Sequence, residues 1–145
     1  MKYNQVKAIL IDLDHTIWKF NSWDGKTRTK QDVELGLFPE VKECIECLKV
    51  KYDLFITSAS SVRDLCERYI NDVFPEDTFR DMIIKPTYPT KVPHVDLIRE
   101  KYGYWNYEML LIDDLMCFIN SVNKIKCKTI HVKNGLTMDL IKDLL

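Results

Sequence analysis

Several apolar runs of this 145-residue chain end in side chains that can do chemistry. The residues after these runs, together with one lysine, are Asp12, Asp14, Thr57, Ser58, Lys91, Asp113 and Asp114. Four converging carboxylates would repel one another at neutral pH unless a cation lay between them. An all-oxygen ligand set favours Mg²⁺, with waters and a substrate phosphate completing its octahedron. The lysine and the hydroxyls would then hold an anion, so the set predicts phosphoryl transfer.

The elements that must position these side chains alternate between strand and helix. Apolar runs predict five strands, at 7–12, 53–57, 82–84, 109–113 and 128–132. Between the first two, Val41, Cys44, Ile45 and Leu48 recur at the spacing of one helix face. Because crossovers between parallel strands are right-handed, this alternation predicts an α/β fold: a three-layer, doubly wound, parallel five-stranded sheet. Such sheets bind ligands at the carboxyl ends of their strands, where the reactive residues lie.

Length and composition indicate one domain over residues 1–145. The formal charge of −1 argues against nucleic acid or an anionic membrane as a partner. No apolar run approaches the roughly 20 residues of a membrane span, and the N-terminus lacks a signal-peptide pattern. The five cysteines are an odd number, which is typical of reduced thiols and predicts a cytoplasmic protein. The oligomeric state is not indicated.

Residues 17–37 are polar and irregular, and they predict a small flap or hairpin after the first strand. Asp24-Gly25 is a turn signal within it. Neither this segment nor the stretch between Thr57 and Lys91 is long enough for a folded cap domain, so we expect an open site. Trp18 and Trp23 would stack on a substrate or pack on the core. His15 would contact substrate or lie exposed without a role.

Four motifs in order resemble those of the haloacid dehalogenase (HAD) superfamily. Its first motif is a strand ending in D-x-D-x-T, as at Asp12, Asp14 and Thr16. A strand ending in Thr or Ser, then a lysine, then a strand ending in an acidic pair complete the set. The corresponding residues here are Thr57 or Ser58, Lys91, and Asp113-Asp114. Thr57 is favoured over Ser58 because it directly follows the apolar run.

The chain is still more similar to the magnesium-dependent phosphatase-1 branch of that superfamily. The resemblance rests on the continuation of the first motif to Trp18, on the segment 37–41 and on the lysine segment 88–92. Two positions differ: His15 stands where Tyr is common, and Leu115 follows the acidic pair where an acidic residue is common. The resemblance spans nearly the whole chain.

This resemblance implies a phosphomonoester hydrolase that uses an aspartyl-phosphate intermediate. Asp12 would be the nucleophile and Asp14 the general acid and base. The cofactor would be Mg²⁺, held by Asp12, the Asp14 carbonyl and Asp114. Thr57 or Ser58, with Lys91, would hold phosphoryl oxygens, and Lys91 would also offset the carboxylates. Asp113 would support Lys91 or a metal-bound water.

The implied substrates are phosphotyrosine in proteins or phosphorylated sugars, and the residues do not choose between them. A catalytically silent binding domain of the HAD fold and a polynucleotide phosphatase are alternatives, although no basic stripe indicates the latter. A phosphorylation-receiver domain uses similar residues, but its acidic pair follows the first strand and its lysine comes last. Here Lys91 precedes the Asp113-Asp114 pair, so the order argues against a receiver.

Overall fold

The computed structural model describes residues 2–145. Met1, which the predicted domain over 1–145 includes, lies outside the described residues. The strands are β1 (Ala8–Ile11), β2 (Asp53–Ser58), β3 (Asp81–Ile84), β4 (Met109–Asp113) and β5 (Lys128–His131). The helices are α1 (Lys30–Gly36), α2 (Val41–Lys51), α3 (Arg63–Val73), α4 (Val92–Tyr102), α5 (Met116–Asn123) and α6 (Met138–Ile141). Single 3₁₀ turns lie at Asn106–Glu108 and Lys142–Leu144.

The five strands form one parallel sheet in the order β3-β2-β1-β4-β5. Along the chain, β2 and β3 are added on one side of β1, and β4 and β5 are added on its other side. The carboxyl ends of β1 and β4 are therefore the switch point at which such folds bind ligands. Ile11 pairs with Ile56 on one side and Ile112 on the other. The residues that follow these three strands therefore meet at one edge, as the sequence predicts.

Both faces of the sheet are covered, which explains why β1 and β4 are continuously apolar. Ile9 and Ile11 belong to the larger core, with α2 and α3. Ala8 and Leu10 point to the second core, against α4 and α5. The predicted three-layer α/β architecture is confirmed. Within residues 2–145, no helix has the length and apolar character that crossing a bilayer requires.

The predicted flap at 17–37 is more ordered and more buried than its polar sequence indicates. It contains α1, whose N-cap Thr29 forms a reciprocal capping box with Asp32. Trp18 is fully buried, stacks on Phe20 at a ring separation of 4.9 Å and meets Tyr69 of α3 edge-on. We call residues 15–29 the strap, because these contacts fasten the segment to α3.

Candidate active site

Asp12 lies directly after β1 and is almost completely buried. Its main-chain N–H donates to the carbonyl of Ile112 in β4, which fixes the residue between the two central strands. The carboxylate oxygen Oδ1 accepts a 2.9 Å hydrogen bond from Lys91, and Oδ2 accepts a longer one of 3.4 Å from Thr16. One oxygen is thus held firmly and the second is less constrained.

Lys91 immediately precedes α4, and its side chain is fully buried. Its ammonium donates to Asp12 Oδ1, to the Thr57 carbonyl at 2.6 Å and to Asp113 Oδ2 at 2.5 Å. An ammonium has three protons, and these partners use all of them. Lys91 also does not line the cavity above Asp12. The predicted pairing of Lys91 with the carboxylates is therefore present, and its predicted contact with phosphate stays a prediction.

Burial dominates the proton equilibria of this cluster. It raises the pKa of Asp12 to about 7, an effect that Lys91 opposes and Asp114 reinforces. Burial likewise raises the pKa of Asp113 to about 6, with repulsion from Asp12 adding to it and Lys91 opposing it. Burial alone would lower the pKa of Lys91, but the attraction of Asp12 and Asp113 outweighs it and raises that pKa. Lys91 is accordingly a fixed positive charge beneath the carboxylates.

Asp12, Asp113 and Asp114 each offer a carboxylate oxygen, and these oxygens lie within 4.8 Å of one another. Both oxygens of Asp113 are engaged, by Lys91 and by the Leu115 N–H. Asp12 and Asp114 line the cavity, and a cation held at this point would relieve the repulsion between them. An all-oxygen set of carboxylates fits Mg²⁺. His131 contacts the Asp114 carbonyl at 2.9 Å and so fixes the loop that carries this residue.

The carboxylate of Asp14 lies outside that metal-ligand group. Trp18 donates its indole Nε1–H to Oδ1 at 2.7 Å. Ser22 donates both its main-chain N–H and its hydroxyl to Oδ2, at 3.1 and 3.0 Å. Asp14 nevertheless lines the cavity beside Asp12. The two carboxylates of the first motif thus share one space, and only Asp12 faces the other acidic groups.

A cavity of about 430 Å³ opens above Asp12. Its lining residues are Asp12, Asp14, His15, Asn21, Trp23, Ser58, Ala59, Ser60, Tyr88, Asp114, Leu115 and Phe118. Carboxylates and hydroxyls lie at its base, and exposed aromatic and aliphatic side chains lie at its mouth, above all Trp23, Tyr88 and Leu115. Among these lining residues of the described chain there is no lysine or arginine.

The two candidate phosphate-binding hydroxyls, Thr57 and Ser58, are neighbours at the end of β2 but differ in their access to the cavity. Thr57 is fully buried, does not line the cavity, and its hydroxyl has no hydrogen-bond partner. Ser58 does line it. The Ser58 oxygen accepts the N–H of Ser60 at 3.1 Å, which leaves its proton free to donate. Ser58 is therefore the hydroxyl open to the cavity, because β2 extends one residue further than the apolar run indicates. Which of the two hydroxyls binds phosphate stays a prediction.

The structure places the three candidate substrate-contact residues, His15, Trp18 and Trp23, in different environments. Trp18, within the strap, is fully buried and does not line the cavity, so of its two predicted alternatives it packs on the core and does not contact substrate. Trp23 is 59% exposed and lines the cavity. His15 also lines it, with a left-handed φ of 64° and a 2.7 Å contact between its Nε2 and Asn21.

Several site residues could not be singled out from the sequence. Ser22 lies in a polar, irregular stretch with no motif to mark it, and His94 follows a helical pattern. His94 is fully buried, with Nε2 at 2.9 Å from the Ser58 carbonyl and Nδ1 at 3.1 Å from Thr87. Burial lowers the pKa of His94 to about 4, so His94 is a neutral link between α4 and the end of β2.

Comparison with known proteins agrees with this geometry. The sequence model of the acid phosphatase family matches residues 4–145. A human protein named magnesium-dependent phosphatase 1 is 27% identical over 148 residues, which cover 93% of this chain and 82% of that protein.

Two solved structures show the same fold at low sequence identity. A predicted HAD-like hydrolase from Porphyromonas gingivalis superposes with a TM-score of 0.71 at 15% identity, covering 97% of this chain and 98% of that one. A HAD-family enzyme from Bacteroides thetaiotaomicron, solved with magnesium and inorganic phosphate, has a TM-score of 0.64 at 16% identity, covering 91% and 96% of the two chains. The family match spans nearly the full sequence, and this chain therefore belongs to the acid phosphatase family and has the HAD-like fold.

Proposed function

We propose that this chain, as a single domain over residues 1–145, is a Mg²⁺-dependent phosphomonoester hydrolase that uses Asp12 as its nucleophile. The observation that carries the proposal is the position of the Asp12 carboxylate, at the base of an open cavity between Lys91 and Asp114. The family membership supports it, as does a relative whose name includes both the metal and the activity.

Asp12 and Asp114, with the main-chain carbonyl of Asp14, would hold the Mg²⁺. When bound, the metal neutralises charge on the phosphoryl group and on the carboxylates around it. Asp113 serves the site indirectly, because both of its oxygens are engaged with Lys91 and the Leu115 N–H.

In the first step, the less constrained Oδ2 of Asp12 attacks phosphorus while the bond to the leaving oxygen breaks. The Lys91 ammonium holds Oδ1 and fixes the direction from which the carboxylate approaches. Asp14 gives its proton to the leaving oxygen. The Ser58 hydroxyl donates to a phosphoryl oxygen and helps to place the group. The products are a free alcohol or phenol and a phosphoryl group covalently attached to Asp12.

In the second step, Asp14, now a carboxylate, takes a proton from a water molecule that attacks the phosphoryl group on Asp12. The phosphorus–oxygen bond to Asp12 breaks, and inorganic phosphate leaves. Asp14 is again protonated and Asp12 is again a carboxylate, so the residues return to their starting state. The same side chain acts as acid and then as base, which requires it to stay within reach of both oxygens.

The mouth of the cavity favours an aromatic leaving group. Trp23 and Tyr88 are 59% and 73% exposed there, and Tyr88 packs edge-on against Phe118. Exposed rings around a polar base suit a neutral aromatic group attached to a phosphate. Of the substrates that the sequence leaves open, this rim supports phosphotyrosine in a protein more than a phosphorylated sugar, whose hydroxyls would need polar partners.

The five cysteines of the chain are all free thiols, which supports the cytoplasm as the compartment.

A phosphatase screen with Mg²⁺ and EDTA arms tests the proposal. It should include phosphotyrosine peptides, phenyl phosphate, sugar phosphates and a 5′-phosphorylated oligonucleotide. We expect turnover only with Mg²⁺, and highest for aryl phosphates. No Mg²⁺-dependent turnover of any substrate would contradict the proposal and favour a silent binding domain.

A further inference from the structure

Ser22 joins the strap to two parts of the proposed active site at once. Its side chain is only 1% exposed although it lies in a polar segment. Its N–H and hydroxyl both donate to Asp14 Oδ2, and its oxygen lies 2.7 Å from the Ser60 hydroxyl. Ser60 lies in the loop after β2, two residues beyond Ser58, the last residue of that strand. One small side chain therefore contacts both the acid–base residue and the loop that follows the phosphate-binding hydroxyl.

The direction of these hydrogen bonds follows from the number of protons available. Asp14 as a carboxylate can only accept, so the single hydroxyl proton of Ser22 is directed to it. The Ser22 oxygen must then accept from Ser60, whose own oxygen accepts the Val62 N–H at 3.3 Å. The result is a one-way series from Val62 through Ser60 and Ser22 to Asp14. Hydrogen bonds in such a series polarise and strengthen one another.

The series also determines which part of Asp14 is free to react. A carboxylate has about four acceptor positions. Ser22 occupies two on Oδ2, and Trp18 occupies one on Oδ1. The remaining position, on Oδ1, is the one available for the proton that moves to the leaving group or from water. Donors on both oxygens prevent the carboxylate from rotating, so this position stays fixed in space.

We propose that Ser22 is a positioning residue that orients Asp14 for proton transfer and couples the strap to the loop after β2. This inference rests on the proposed function, because it assigns Ser22 a part in the same reaction. Ser22 itself does not line the cavity and need not touch substrate. Its effect is on the proton-transfer step and not on substrate binding.

The test compares two substrates that differ in their need for a proton. Phenyl phosphate releases a basic phenolate and depends on the general acid. The leaving group of 2,4-dinitrophenyl phosphate is weakly basic and departs without a proton. The value of kcat/KM reports the step in which the leaving group departs, so it should be measured for both substrates in wild type, in Ser22→Ala and in Ser60→Ala. Ser61→Ala, at an exposed position of the same loop, is the matched control.

For Ser22→Ala we expect kcat/KM to fall at least about tenfold on phenyl phosphate and less than about threefold on 2,4-dinitrophenyl phosphate, since a full general acid contributes about 10²–10⁴-fold. Ser60→Ala should show the same selectivity with a smaller loss, and Ser61→Ala should match wild type. An equal loss on both substrates, or none, in Ser22→Ala would overturn the proposal while wild-type turnover still upheld the proposed function. An inactive wild type would instead reject the proposed function.

Discussion

Lys91 and Asp12 form a buried ion pair with a nitrogen–oxygen distance of 2.9 Å beneath the cavity. The same ammonium also pairs with Asp113, so one positive charge serves two buried carboxylates. Each carboxylate alone would be costly to bury in ionised form. Lys91 therefore acts mainly on the charge state and direction of Asp12, and it has no proton left for the substrate.

Replacement of Lys91 by Met keeps an unbranched side chain only one atom shorter and removes its charge. Two buried carboxylates would lose their partner, so we expect the free energy of unfolding to fall by roughly 3–5 kcal/mol and phosphatase activity to be lost. Urea denaturation in EDTA measures the first effect. Lys142→Met is the control, because its pair with Asp139 is exposed and should change stability by less than about 1 kcal/mol. Equal small effects in both variants would contradict the role assigned to Lys91.

Mg²⁺ should stabilise the folded protein, because the carboxylate cluster exists only when the chain is folded. At a free concentration of about 100 times Kd, the stabilisation is about 2.7 kcal/mol, which for a chain of this size raises Tm by about 5–10 °C. Asp114→Asn should require much more Mg²⁺ for the same rise in a thermal unfolding assay. Asp64→Asn, whose side chain is 95% exposed, should respond like wild type. A Tm that does not depend on Mg²⁺ would argue against a site at this cluster.

His94 should make the protein less stable in acid. Its pKa is about 4 when folded, lowered mainly by burial, against 6.5 for an ordinary histidine. As pH falls below 6.5, His94 becomes protonated in the unfolded chain but stays neutral in the folded protein. The free energy of unfolding therefore decreases progressively down to about pH 4. The full effect is on the order of 3 kcal/mol, at about 1.4 kcal/mol per pKa unit.

Asp12 and Asp113 act in the opposite direction, because burial raises their pKa values and acid relieves their charge. The contribution of His94 is isolated by comparing wild type with His94→Gln, whose amide keeps a donor for the Ser58 carbonyl and does not titrate. In EDTA, His94→Gln should lose less stability than wild type between pH 6.5 and 4. Parallel profiles for the two proteins would contradict the assignment.

The rim predicts that Trp23 contributes to binding of aromatic substrates. Trp23→Ala should raise KM for a phosphotyrosine peptide about tenfold, corresponding to about 1.4 kcal/mol, with little change in kcat. Trp105→Ala is the matched control, since Trp105 is 66% exposed but precedes the amino-terminal end of β4, at the end of the sheet away from the cavity. Unchanged KM in Trp23→Ala would show that the aromatic mouth does not select the substrate.

The sequence predicts the sheet and its reactive edge well, because continuous apolar runs at β1 and β4 leave little choice of structure and their last residues are chemically distinctive. The strap is different. Trp18 lies in a polar stretch, and the sequence leaves stacking on a substrate and packing on the core both open. Its burial depends on Tyr69, which is distant in sequence and comes close only in the folded chain. Thr57 and Ser58 illustrate a finer limit. Neighbouring residues of a strand point to opposite faces of the sheet, so a difference of one residue in the end of β2 changes which hydroxyl lines the cavity.

The nucleophilic role of Asp12 is tested most directly by Asp12→Asn, a change that preserves size and leaves Lys91 paired with Asp113. The measurement is the rate of p-nitrophenyl phosphate hydrolysis in saturating Mg²⁺, with thermal unfolding to verify that the variant is folded. We expect the rate to fall by at least about a thousandfold, because loss of a nucleophile removes the covalent route. Hydrolysis by folded Asp12→Asn at the wild-type rate would contradict the account.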